Sequence, residues 1–244
     1  MTLCCRLTSL CTLVLHLFLY DIANAKNAEE FFKPRDQLAL VSAAAAGRTA
    51  DMEASVKHGA KVNFQGVGGM TALIWALGHE SKEGVSWLLE HGADPNLVYA
   101  PDGNSSVTIA AMADDPWYLE QILAHGGNAN YQNPINKRTP LMNAVVPVKP
   151  DNAKALLAAG ADPKPTDSRG APALFNAAAN QRYEMVYYML LAGADPTFSI
   201  GNKNHVLASV LRDSRAQPGS PQYEWLIKVK DWLKTRGLDV DAVH

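Results

Sequence analysis

Thr71-Ala72-Leu73-Ile74-Trp75-Ala76, followed by Gly92-Ala93-Asp94-Pro95-Asn96 with the glycine twenty-one residues after the threonine, is the stretch that decides the fold. The first segment reads as a capped helix start and the second as a glycine-terminated helix entering a polar turn. Both landmarks recur. The turn returns as Gly59-Ala60, Gly92-Ala93, Gly126-Gly127, Gly160-Ala161 and Gly193-Ala194, at spacings of 33, 34, 34 and 33 residues. A period of this length marks stacked supersecondary units, each too small to bury its own apolar face.

The helix start is clearest again at Thr139-Pro140-Leu141-Met142-Asn143-Ala144, with weaker copies beginning at Leu38, Ser105 and Pro172. Small residues Ala43, Ala76, Ala110, Ala144 and Ala177 hold one register position, where neighbouring inner helices must approach closely. Apolar runs such as Trp87-Leu88-Leu89, Gln121-Ile122-Leu123 and Tyr188-Met189-Leu190 give the outer helices a buried face. The pattern resembles the ankyrin repeat, whose motif is a Thr-Pro-Leu-His-x-Ala helix start and a Gly-Ala-Asp-x-Asn hairpin entry. The resemblance implies an all-α ankyrin-repeat solenoid of helix pairs joined by β-hairpin-type loops, about six repeats including capping units. Residues 36–204 carry five repeats after a lead-in at 26–35, and 205–244 a degenerate capping repeat with an inserted loop from Arg212 to Gln222. In that last unit Trp225, Val229, Trp232 and Leu233 form the expected helical stripe, with Lys228, Lys230, Lys234 and Arg236 as a solvated opposite face. Departures are local: no copy keeps the motif's histidine, and Asp162-Pro163-Lys164 lacks the usual hairpin asparagine.

Across 244 residues, 22 Lys plus Arg stand against 24 Asp plus Glu, a formal charge of −2. Such a balance supplies no broad attraction to a phosphate backbone, so nucleic acid is not an expected partner. Residues 1–25 read as a secretory signal: Arg6, then the apolar run Leu7 to Tyr20, then Ala23-Asn24-Ala25 at the cleavage site. The expected destination is the periplasm, with cleavage after Ala25. The competing reading, an uncleaved anchor, requires a longer run than these 14 residues, one of which is His16. No stable membrane insertion is expected after cleavage. Cys4, Cys5 and Cys11 all lie in the segment to be removed, so the mature chain would hold neither disulfides nor thiolate ligands.

His58, His91 and His125 share the slot before the turn glycine, where a cation complements a helix C-terminus. His79, in the loop between helices with Glu80 and Glu83 nearby, is the one histidine that the period does not explain. A metal- or His79-dependent enzyme is the alternative class it would support, without any spaced partner. Gly66, Gly68 and Gly69 form a hairpin tip with no following Lys-Ser or Lys-Thr, and no nucleophile elbow or zinc-helix motif occurs. No cofactor or metal is expected, and the chain reads as non-enzymatic.

Function then falls to the slots that the repeat leaves variable. The slot before each inner-helix alanine holds Ser42, Trp75, Ile109, Asn143 and Asn176, and Trp75, Ile109 and nearby Met112 would make apolar anchors on a concave face. The other reading of Trp75 is packing within the protein. After each hairpin asparagine or its equivalent come Phe64, Leu97, Tyr131, Pro165 and Phe198, with Tyr99 added in the second hairpin. These either form a ladder for a partner or pack finger against finger. Asp102, Asn104, Asn136, Arg138, Arg169 and Lys203 would rim the site, with His79 beside it. The family resemblance extends to periplasmic ankyrin-type immunity proteins that guard against type VI secretion effectors, including phospholipases. It implies a free monomer that binds such a secreted enzyme. Periplasmic ankyrin proteins linked to peroxide resistance are the runner-up.

Overall fold

The computed structural model describes residues 28–145, 149–200, 203–212 and 214–238, so the expected signal at 1–25 lies outside the described residues. The chain divides into two compact units, residues 1–131 and 132–244.

In the first unit a 3-10 turn at Ala28–Glu30 precedes three helix pairs: α1 (Arg35–Ala45) with α2 (Thr49–Lys57), α3 (Ala72–Gly78) with α4 (Lys82–Glu90), and α5 (Ser106–Ala110) with α6 (Trp117–Ala124). Each inner helix packs on the next (α1 on α3, α3 on α5), and so does each outer one (α2 on α4, α4 on α6). The second unit repeats the arrangement with α7 (Pro140–Val145) and α8 (Pro150–Ala158), α9 (Ala173–Ala179) and α10 (Tyr183–Leu191), then α11 (Leu207–Leu211) and α12 (Pro221–Lys234). Short antiparallel hairpins are the only strands among the described residues: β1 (Val98–Tyr99) with β2 (Asn104–Ser105), and β3 (Thr197–Ile200) with β4 (Lys203–Val206).

The local chemistry explains these boundaries. Thr71 caps α3 by accepting from the Ile74 N–H at 3.2 Å, and Ser81 caps α4 by accepting from Gly84 at 3.1 Å. All five register alanines are buried, which lets the inner helices close on one another. The turn glycine ends each outer helix in a left-handed conformation, with φ of 82° at Gly92 and 91° at Gly193. Between α1 and α4 the approach is so close that a β-carbon on Gly84 would overlap the Ala44 carbonyl.

Polar side chains join successive turns in the first unit. Asn63 Nδ2 donates to the Gly92 carbonyl at 2.8 Å while its Oδ1 accepts from Asp94 N at 2.7 Å. Asn96 repeats this with Gly126 at 3.0 Å and Asn128 at 2.8 Å. Lys164 has only donors, so it cannot take both halves of this clamp at its own position.

Two details of the capping repeat differ from the sequence expectation. Helix α12 begins at Pro221, with Ser220 Oγ accepting from Tyr223 N, so the inserted loop ends before Pro221 rather than at Gln222. Its buried stripe is Leu226, Val229 and Leu233, leaving Trp225 and Trp232 half-buried on the flanks. The helix turns past the expected seam by one residue because the aliphatic side chains take the core and the indoles lie against neighbouring rings and cations.

Candidate partner-binding surface

Most of the expected concave anchors serve the interior. Trp75 is 3% exposed: its ring lies 5.6 Å from Phe31, 6.2 Å from Phe32 and 4.8 Å from His79, centroid to centroid. The lead-in, unreadable as a packing partner in a period-based comparison, folds onto the slot and removes Trp75 from the surface. Ile109 is also 3% exposed, because the short helix α5 turns its whole length inward, and Met112 is half-buried at its end. These three residues therefore do not form an exposed anchor.

His79 has an equally local explanation. Its Nδ1 lies 2.9 Å from the Trp75 carbonyl at the end of α3, and His91 and His125 make the same contact with Trp87 and Gln121 at 2.7 and 2.9 Å. Each ring adds a second contact to a carbonyl in the helix's last turn that already accepts the histidine's own backbone N–H. Among the described residues no group of three or more His, Cys, Asp or Glu side chains is placed to hold a metal ion.

Asn143 and Asn176 are buried as well. Arg138, 8% exposed, donates through Nε to Asn143 Oδ1 and through Nη2 to the Met142 carbonyl, both at 2.7 Å. This guanidinium braces the third hairpin against α7 rather than rimming a site. Asn176 Nδ2 points back to the Pro172 carbonyl at 3.5 Å.

The hairpin residues pack within the protein, on a neighbouring finger or on an inner helix. Tyr131 donates its hydroxyl to the Gly103 carbonyl at 2.6 Å, and Phe198 meets Phe175 edge to face at 5.7 Å. Phe64 and Tyr99 are half-buried, and Tyr99 closes with Pro101 over Gly68. Asp102 accepts from Asn104 through both its backbone N–H and its side-chain amide at 2.9 Å, and burial raises its carboxyl above the ordinary range against those bonds. Burial likewise raises the Tyr131 phenol, with the Asp102 charge adding to it. Asn136 accepts from Arg138 N at 2.9 Å. At the fourth finger burial would raise the Asp167 carboxyl, but the Arg169 guanidinium and the Arg169 and Ala171 N–H groups outweigh it and hold it low. Of Lys203 only the backbone, paired with Ile200, is described.

Beside exposed polar groups such as Arg169 and Lys137, the fingers present apolar side chains at one register position. Val67 is 55% exposed and Ile135 59%, and each sits four residues before its helix-start threonine, Thr71 or Thr139. Pro101, exposed, has the same place relative to Ser105. This shared register was not picked out from sequence, although aligning the copies on the threonine rather than the glycine reveals it.

A family model for ankyrin repeats, three copies in length, matches residues 2–99 and 107–199. The chain belongs to the ankyrin-repeat family. Among characterised proteins, this ankyrin-repeat chain is similar to Protein PhlB of Serratia liquefaciens, 36% identical over 139 residues, which are 57% of this chain. The match spans 60% of that relative's length. Ankyrin arrays are protein-interaction modules, and partner proteins are the class of ligand this family membership implies. No helix among the described residues is long and apolar enough to cross a membrane.

Proposed function

We propose that this ankyrin-repeat chain is an exported, non-enzymatic binding protein that captures a toxic effector enzyme in the periplasm and blocks it. A type VI secretion effector with phospholipase activity is the target class. The observation that carries the reading is the division of labour among the side chains. Trp75, His79, Arg138, Asn143 and Asn176 are taken up by internal contacts, whereas Val67 and Ile135 stand exposed at one register position of the fingers. Apolar groups exposed at matching fingertip positions are free to be buried against a partner, where they would contribute binding energy. Export rests on the apolar run Leu7 to Tyr20 and the Ala23-Asn24-Ala25 site.

Co-expression tests it. A periplasm-directed phospholipase effector should lose its toxicity when the full chain is made in the same cell and should co-purify with it. Val67→Asp with Ile135→Asp should abolish rescue. Unchanged toxicity across a panel of periplasmic effectors, together with no stable complex, would overturn the proposal.

A further inference from the structure

The outward slots of the outer helices hold polar residues or alanine in four repeats and large, ring-bearing or aliphatic side chains in the fifth. Six residues before the turn glycine stand Glu53, Ser86, Glu120 and Lys154, but Tyr187 in the fifth repeat. Two residues before it stand Lys57, Glu90, Ala124 and Ala158, but Leu191 in the fifth, which is 57% exposed. Helix α12 then adds a third large group to this place. Trp225 lies 5.7 Å from both Tyr187 and Tyr188, and the two tyrosines are 6.2 Å apart. All three residues are half-buried, so part of each side chain stays in reach of solvent.

Cations border the cluster. Lys228 Nζ sits 3.9 Å above the Trp225 ring, and Lys154 Nζ lies 5.1 Å from Tyr188 while pairing with Glu184 at 2.6 Å. The Glu184 carboxylate, accepting from Lys154, holds that ammonium charged by raising it above the ordinary lysine range. Lys230, Lys234 and Arg236 continue the positive charge along α12, against Glu224 and Asp231. Tyrosine and tryptophan with a basic border is the composition of an interface anchor, since rigid rings bury area at small entropic cost while the border selects charge.

We propose that the α10/α12 face, centred on Tyr187, Tyr188, Leu191 and Trp225, docks an acidic segment of a protein partner, with apolar residues on the rings and carboxylates on Lys228 and its neighbours. The inference rests on the protein-binding reading and assigns it a second surface, on the outer helices rather than the fingers. The apolar slots explain why the fifth repeat departs from the other four, and the basic border fixes the partner's sign. Binding at this face weakens as salt rises, because the bordering charges are exposed.

A photo-crosslinking amino acid placed at Leu191, in the cluster and 57% exposed, tests this in cells making the full chain. A second strain carries it at Val67. The expected result is a cross-link from position 191 to an Asp- or Glu-rich segment of another protein. Leu191→Lys or Lys228→Glu should then weaken affinity for that protein at least tenfold, with the melting temperature unchanged. Both positions are on the surface, so loss of folding does not confuse the result. A cross-link from position 191 to a second copy of this chain, or binding of the protein labelled there to vesicles of anionic phospholipid without any protein adduct, would overturn the proposal. Adducts from Val67 alone would overturn it while leaving the protein-binding reading standing, and adducts from neither position would remove both.

Discussion

Phe31 and Trp75 lie with their ring centroids 5.6 Å apart, tilted by 53°, so the lead-in packs an aromatic ring on the second repeat. Phe32 closes the other side edge to face, itself 1% exposed. The contact makes the lead-in a lid over the first repeats and gives Trp75 a structural role. Trp75→Ala should destabilise the protein by about 3 kcal/mol or more through the cavity it leaves. Phe31→Ala should cost less, and the double variant should fall short of the sum because the two residues share the contact. Thermal melts of the four proteins check it. A Trp75 variant with wild-type melting would show that the indole does not support the fold.

The asparagine clamps give a second test. In the first unit Asn96 satisfies a turn carbonyl and a turn amide of the following repeat, so Asn96→Ala leaves both without a partner. We expect a loss of about 1–2 kcal/mol, at the partly exposed end of the range because Asn96 is open to water. Lys164 holds the same register position with donors only. Lys164→Asn should stabilise the second unit by about 0.5–1 kcal/mol if it rebuilds the clamp. Urea unfolding of each variant reads both effects, and equal midpoints for Lys164→Asn and wild type would show that the clamp does not form there.

Much of this architecture is legible in the sequence because it is periodic. The glycines at the turns, the register alanines and the threonine caps impose one physical demand per repeat, and a repeated demand leaves a repeated residue. The site was less legible, for the opposite reason. Trp75 looks like a surface anchor until Phe31 and Phe32 are known to cover it, and those lie before the period begins. Arg138 looks like a rim charge, yet its reach to Asn143 and the Met142 carbonyl takes it inside. The Trp225 and Tyr187 contact joins helices that an inserted loop separates by an irregular distance, so no spacing rule places the two rings together. Leu226 falls one residue outside the stripe that Trp225, Val229, Trp232 and Leu233 suggest by spacing, yet it is Leu226 that takes the core.

Gly84 offers a sharp test of the close approach. A β-carbon there would overlap the Ala44 carbonyl and crowd Ser81 Oγ at 2.7 Å, the oxygen that caps α4. Although alanine is the better helix former, Gly84→Ala should lower stability by about 1–3 kcal/mol, since backbone on the facing side cannot swing away as a side chain would. A substitution of Ser86 to Ala on the same helix, half-buried, serves as the control. A gain in stability for Gly84→Ala would contradict the packing of α4 on α1.

The pH dependence at the alkaline end turns on Tyr118. Its hydroxyl donates to the Glu80 carbonyl at 2.5 Å, and burial, helped by the carboxylates of Glu80, Asp115 and Glu83, pushes its pKa up to about 12 from 10.0. The folded state therefore holds the phenolic proton more tightly than the unfolded chain does. Below pH 10 both states are protonated and the contribution is complete. As pH rises from 10 towards 12 the unfolded chain ionises first, binds fewer protons than the native state, and gains stability relative to it. Wild type should lose up to about 2 kcal/mol across this window from Tyr118, and Tyr118→Phe, which has no proton to lose, should lose correspondingly less. Chemical unfolding at pH 9 and pH 11.5 for both proteins measures the difference. Parallel losses would mean that the Tyr118 phenol titrates alike in the folded and unfolded chains, and that the bond to Glu80 does not hold the proton.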